Sequence, residues 1–296
     1  MRASAFLLLL SASAALGWVA PAAAQERVER GVRAAPDATI RVYNLTGSTR
    51  VRGWDADSVA VVATLAPGAG RLFLGGGTQG IKLGVEAPPG AAGGTAHLEV
   101  RVPRGSVVWI KAADASVDVD GVQGGLDLYS VTGDVVVRGA PSTVRAESME
   151  GRVSIDARTP WARAKTASGP IDLAGGIADL AATTVGGEVR VAAAGPARAR
   201  IESVTGDVVV EGRASRGGSW EIETHSGAVT IALGADAGAE IAVHTFGGEV
   251  RSELGRVTSK RQDDLGGREL GIVVGPGGAT MTVRTFKGPV TVRPAR

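Results

Sequence analysis

The chain runs to 296 residues, with 32 basic and 30 acidic side chains, 44 glycines, few aromatics and no cysteine. Without cysteine, a disulfide framework, thiolate zinc sites, iron–sulfur clusters, thiol catalysis and a lipid-modified N-terminal cysteine are all excluded. The near balance of charge gives no electrostatic reason to expect nucleic acid or anionic lipid as a partner.

Residues 1–24 have the pattern of a cleaved secretory signal peptide. Arg2 precedes an apolar run from Ala5 to Val19, and Ala22-Ala23-Ala24 supplies the small residues a signal peptidase needs, with Gln25 as the mature start. Ser11, Ser13 and Gly17 interrupt the run and no basic cluster follows it, which argues against a permanent anchor. The expected location is the periplasm, or the cell surface after secretion, with no integral membrane anchor once the signal is removed. Residues 25–296 then form one repeat domain.

Ile40, Val42, Asn44, Gly47, Thr49 and Val51 open the mature chain with a pattern that recurs to its end. Residues 54–106 depart from it. They hold strand-like runs, Val59 to Leu65 and His97 to Val102, among loops such as Pro88-Pro89-Gly90, and are expected to cap the N-terminal end. Val108, Ile110, Val117 and Val119 resume the pattern, with Ala112 and Ala115 at its polar and glycine places.

From Leu126 onward the pattern repeats every 18 residues, with glycines at Gly133, Gly151, Gly169 and Gly187, then at Gly206, Gly227, Gly248 and Gly288 with longer steps. Three residues before each stands a hydroxyl: Ser130, Ser148, Thr166, Thr184, Ser203, Thr224, Thr245 and Thr285. Apolar residues alternate on both sides, as in Leu126/Leu128 and Val135/Val137, the mark of strands with one buried face. The residues between them are polar and mixed in sign, as on a solvated sheet face. Residues 252–280 break the period with the run Lys260-Arg261-Gln262-Asp263-Asp264, then Leu270 to Val274, then Gly275-Pro276-Gly277-Gly278. They are expected to form a loop insertion followed by a return strand. A fixed short period predicts an all-β chain folded as a single elongated β-solenoid, a β-helix-like stack of rungs of about 18–20 residues with glycine at the corners.

The segments Val42-Tyr43-Asn44-Leu45-Thr46-Gly47, Val51-Arg52-Gly53-Trp54-Asp55 and Val100-Arg101-Val102-Pro103-Arg104-Gly105, with the closing stretch from Gly277 to Gly288, resemble a family of exported bacterial β-strand-repeat proteins. That family carries the label "putative adhesin" and the status of a domain of unknown function. The resemblance implies an all-β solenoid-like fold and an envelope location. It brings no catalytic residues, because the family has no established active site.

The hydroxyl column is the most regular polar feature, and strand alternation points it inward, where it can satisfy the turn backbone. No histidine recurs beside it to activate a nucleophile. His97, His225 and His244 are the only histidines, and the latter two could approach one another across neighbouring units. No carboxylate partner is evident for a metal or proton-transfer role, so no metal, cofactor or catalytic residue is assigned. Outward acids such as Asp127, Glu147, Asp172 and Glu202 are scattered over different units, whereas an enzyme on such a scaffold requires converging carboxylates. Two residues before the motif glycine stand Leu45, Val131, Met149, Ala167, Val185, Val204, Phe246 and Phe286, interrupted by His225. Facing outward, they form an apolar ridge suited to a partner; a bent corner would instead turn them into the core.

The chain therefore reads as a non-enzymatic, adhesin-like interaction or scaffolding protein of the bacterial envelope, with a protein or glycan partner. The alternatives are a carbohydrate-active enzyme on a β-helix scaffold and an accessory in envelope-stress signalling.

Overall fold

The computed structural model describes residues 25–88, 90, 93–213, 215–234, 237–262, 266–276 and 278–295. The predicted signal segment, residues 1–24, lies outside the described residues, as do Asp263, Asp264 and Gly277.

The N-terminal part forms β1 (Glu26–Arg33), β2 (Thr39–Trp54), β3 (Ser58–Leu65), β4 (Arg71–Gly77), β5 (Gly80–Glu86), β6 (Ala96–Pro103) and β7 (Val107–Asp120). Each repeat then contributes two strands separated by its glycine turn. These are β8 (Gly125–Ser130) and β9 (Val135–Gly139), β10 (Thr143–Ser148) and β11 (Val153–Ala157), and β12 (Thr159–Thr166) and β13 (Ile171–Gly175). They continue as β14 (Ile177–Thr184) and β15 (Val189–Ala193), β16 (Arg198–Ser203) and β17 (Val208–Gly212), and β18 (Ser219–Thr224) and β19 (Val229–Leu233). The chain closes with β20 (Ala239–Thr245), β21 (Val250–Ser252), β22 (Arg256–Gln262), β23 (Arg268–Val274), β24 (Ala279–Thr285) and β25 (Val290–Pro294).

Strands before the motif glycine pair with one another, and so do strands after it. The first ladder runs β4–β5–β2–β7–β8–β10–β12–β14–β16–β18–β24–β20–β23–β22. The second runs β1–β3–β6–β2–β7–β9–β11–β13–β15–β17–β19–β25–β21. The long strands β2 and β7 pass through both ladders, so all strands belong to one 25-stranded sheet.

Because the register between repeats is constant, every inward residue lies beside its counterpart. Val144 sits between Leu126 and Ala162, and Val153 between Val135 and Ile171. The inward faces of both ladders meet in one hydrophobic cluster. It is built from Val, Ile, Leu and Ala, with Leu128, Ile155, Ile171 and Ile201 fully buried. Burial of each such aliphatic side chain contributes about 1.5–3 kcal/mol, so a core poor in aromatics is still sufficient over this length.

The strand order corrects the expected single β-solenoid of successive rungs. The sheet is mixed: β1, β3 and β6 pair antiparallel, as do β4 with β5 and β22 and β23 at the other end. A uniform stack would leave its long terminal strands open to pairing with other chains; here antiparallel strands cover both ends of the first ladder and the N-terminal end of the second, whose other end is the three-residue β21. The order also leaves the sequence. β24 lies between β18 and β20, and β25 between β19 and β21, so the last unit is inserted between the two units that precede it in the chain. Residues 54–106 likewise are part of the sheet, because β5 and β6 pair with the two halves of β2.

The glycines serve two separate purposes. From Gly133 onward the motif glycines have ordinary backbone angles, whereas Gly47 has φ of 115°, and the constraint is the neighbouring turn: a Cβ on Gly206 would lie 1.9 Å from the Gly187 carbonyl oxygen. At the turns after β9 and β13, Gly139 and Gly175 have φ of 108° and 84°, the left-handed region that glycine enters without steric cost.

Candidate functional site

The buried hydroxyls are fully engaged by the turn backbone. Ser148 accepts the N–H of Gly151 at 3.0 Å and lies 3.0 Å from the Gly133 carbonyl of the preceding turn. Thr184 accepts the N–H of Gly187 at 3.0 Å and is 3.0 Å from the Thr166 hydroxyl. Thr245 and Thr285 accept the Gly248 and Gly288 N–H groups, each at 2.8 Å. In the first unit Asn44 takes this place, donating to the Ser48 and Ala96 carbonyls at 3.1 and 3.0 Å. Such a column supplies backbone groups that a tight turn leaves without partners, and it presents no nucleophile to solvent.

One residue further on, the turn reverses direction and the side chain leaves the core. Val185 is 55% exposed, Leu45 and Phe246 50%, Met149 46%, Val204 45% and Phe286 40%, while Val131 is half-buried. Backbone hydrogen bonds between turns hold these residues in line. The Met149 N–H donates to the Val131 carbonyl at 3.0 Å, Ala167 to Met149 at 3.0 Å and Val185 to Ala167 at 3.2 Å. Ala113 joins the line, since its carbonyl accepts the Val131 N–H at 3.0 Å; the alanines of β7 hide this turn from a motif search. The ridge is thus one residue wide and mainly apolar, with His225 standing between Val204 and Phe286.

At its C-terminal end the ridge becomes aromatic. The His225 ring stacks on Phe286 with centroids 5.0 Å apart, and Phe286 stacks on Phe246 at 5.2 Å. Lys287 places its ammonium 5.7 Å from the Phe286 centroid. Two grooves run beside this stretch. One, of 530 Å³, is bordered by Phe246, Phe286, Glu223, His244, Arg268 and Arg284. The other, of 540 Å³, is bordered by Val185, Val204, His225, Glu202 and Glu223. Arg268 comes from β23, in the stretch that interrupts the period, and donates to the Gly248 carbonyl at 2.6 Å.

The structure separates the other candidates. Insertion of β24 between β18 and β20 places Phe286 and Arg284 between His225 and His244, so these histidines are not neighbours. The third, His97, bonds through Nδ1 to the Ser48 hydroxyl at 2.9 Å. Asp127, Glu147 and Glu202 lie on the first ladder, whereas Asp172 lies on the second and pairs with Arg152. Among the described residues, no group of three or more His, Asp or Glu side chains is placed to hold a metal ion.

The most concentrated electrostatic feature is on the second ladder. Arg52 donates two hydrogen bonds of 3.1 Å to Asp118, and Arg138 adds a third at 3.2 Å. Partial burial raises the Asp118 carboxyl, but the hydrogen bonds from Arg52 and the charges of Arg52, Arg138 and Arg50 outweigh it and hold the group below its ordinary range. This cluster joins β2, β7 and β9 across the outer face and is a structural clamp.

No family model matches the chain, and no curated protein matches it. Three solved structures align with most of the chain at low identity. A "putative adhesin" from Bacteroides fragilis is 9% identical, with a TM-score of 0.47, over 91% of this chain and 98% of its own. A "putative lipid binding protein" from Parabacteroides distasonis is 8% identical, with a TM-score of 0.46, over 90% and 96%. A "putative cell adhesion protein" from Clostridium sporogenes is 8% identical, with a TM-score of 0.26, over 92% and 100%.

Proposed function

We propose that this chain is an exported, non-enzymatic interaction protein of the bacterial envelope, and that the apolar ridge is its docking edge for a protein partner. The observation that carries this reading is the file of mainly apolar side chains at the turns from Leu45 to Phe246, of which Leu45, Met149, Val185, Val204, Phe246 and Phe286 are large and exposed. Exposed valine, leucine, methionine and phenylalanine in one file give up solvation free energy that a contact recovers. Ala113, Ala167 and His225 stand at the same place in other turns, so closing the turn does not itself require a large apolar side chain. A strip one residue wide matches the narrow apolar stripe of an amphipathic segment, with the flanking Glu202, Glu223, Arg284 and Lys287 available to its polar rim. The signal-like residues 1–24 and the lack of cysteine support export without a lipid anchor.

The test is affinity capture from an envelope extract of the native host, with the Phe246→Ala/Phe286→Ala double variant as control. A partner retained by the natural protein and lost by the variant supports the docking edge. Equal capture by both proteins removes it.

A further inference from the structure

The outer face of the first ladder divides into two halves of different chemistry. Over β14, β16, β18 and β24 its arginines are already neutralised: Arg198 lies 2.5 Å from Asp179, Arg200 2.6 Å from Glu202 and Arg284 2.9 Å from Glu221. Over β2, β7, β8, β10 and β12 they are not. One row there crosses the strands in register as Arg41, Trp109, Asp127, Arg145 and Arg163. Two residues further along each strand, a second row reads Tyr43, Lys111, Tyr129, Glu147 and Lys165. The rows hold five cations against two carboxylates. Among the described residues, none of these cations forms an ion pair, although carboxylates stand in the same rows.

Two further observations set this half apart from an ordinary solvated face. Arg145 is directly opposite Arg163, an arrangement that cross-strand repulsion disfavours in the free protein. Aromatic rings are interleaved with the cations: Trp109 is 42% exposed and Tyr43 37%, and the guanidinium groups of Arg41 and Arg163 lie 5.8 and 5.4 Å from the Trp109 and Trp161 centroids. Trp109, Lys111, Asp127, Tyr129, Arg145 and Glu147 together border a depression of 360 Å³.

We propose that this face binds an acidic polysaccharide, a chain of sugars bearing carboxylates. Unpaired Arg and Lys side chains match the sugar carboxylates, with arginine able to bind them in a bidentate fashion. Exposed Trp109 and Tyr43 offer flat apolar surfaces to the C–H faces of sugar rings. Asp127 and Glu147 are acceptors only, and in the middle of a basic face they suit the hydroxyl donors of a sugar. A nucleic acid carries a comparable charge along its backbone but supplies fewer hydroxyl donors to those two carboxylates. This surface is separate from the ridge in residues and in chemistry, so failure of either reading leaves the other standing.

Titration calorimetry of the purified protein with polygalacturonate, neutral dextran and single-stranded oligothymidylate tests the proposal. Polygalacturonate is expected to bind with an affinity that falls as salt rises, and dextran is expected not to bind. Arg145→Glu/Arg163→Glu is expected to weaken polygalacturonate by about tenfold or more, and Trp109→Ala by several-fold, with circular dichroism unchanged. Should the charge reversal impair folding, Lys111→Gln/Lys165→Gln supplies the same test at exposed positions. Absence of polygalacturonate binding, binding indifferent to these substitutions, or equal or tighter binding of oligothymidylate overturns the proposal.

Discussion

The Thr224 hydroxyl lies 3.2 Å from the hydroxyl of Thr285, a residue 61 positions later in the chain. This contact joins β18 to β24 at the turn and records the insertion of the last unit between two earlier ones. The same pair of turns brings Gly288 against Gly227, where a Cβ would lie 2.0 Å from the Gly227 carbonyl oxygen. The C-terminal unit is therefore held by the same hydroxyl and glycine columns as the regular repeats.

Thr285→Val keeps the shape of the side chain and removes its hydroxyl. The Gly288 N–H then loses its 2.8 Å acceptor in a buried turn. An unsatisfied buried donor costs about 1–3 kcal/mol, so the urea unfolding midpoint is expected to fall with its slope unchanged.

Gly206→Ala is expected to destabilise by about 3 kcal/mol or more, because the added methyl meets backbone that cannot move away. Gly80→Ala is the matched control. No heavy atom lies within 4 Å of its added Cβ, so its effect is expected to stay within about 0.5 kcal/mol. Thermal unfolding of both variants separates close approach from a general preference for glycine.

Asp118 makes the second ladder sensitive to acid. Its folded-state pKa is depressed, so its contribution is present above the unfolded carboxylate pKa and is lost as pH falls through the folded value. Asp118→Asn is expected to be less stable than the natural protein at pH 7 by about 1 kcal/mol, the scale of a partly exposed ion pair. The two proteins are expected to converge below roughly pH 4. Denaturation curves across that range check the sign.

Removing the aromatic end of the ridge is expected to leave the fold intact. Phe246 and Phe286 are half exposed and touch mainly each other and His225. The double alanine variant is expected to lose only about 0.5–1.5 kcal/mol, the scale of an aromatic pair. A large drop in melting temperature would instead assign these rings to the core.

The repeat made the strands and their inward faces legible, because alternation of apolar residues depends only on local geometry. Alternation alone assigns Leu126, Leu128, Val135 and Val137 to the core, where all four are buried. Strand order was not legible. Periodicity says that Thr224 and Thr285 occupy equivalent places, but it does not say which turn lies next to which, and chain order was the wrong guide at the C-terminal end. Leu270 to Val274 falls in β23, where a return strand is expected, but its partner β22 falls where a loop is expected, because the sequence of Arg256–Gln262 has no apolar residue beyond Val257 to mark a strand. Exposure of the ridge depended on a reversal of the chain within a single turn, which residue types do not encode. Charge alternation alone makes the basic half of the first ladder an ordinary solvated face; the aromatic residues Tyr43, Trp109 and Tyr129 at outward places are where its composition departs from one.

The most direct test of the docking edge is site-specific photocrosslinking in the native envelope. A crosslinking residue placed at Val185 and at Phe286 samples two separated points of the ridge, and one at Arg190 samples the outer face of the second ladder. The account predicts the same protein adduct from both ridge positions, none from Arg190, and loss of the Val185 adduct when Phe246 and Phe286 are replaced by alanine. Adducts equally strong from Arg190, or none from either ridge position, would contradict it.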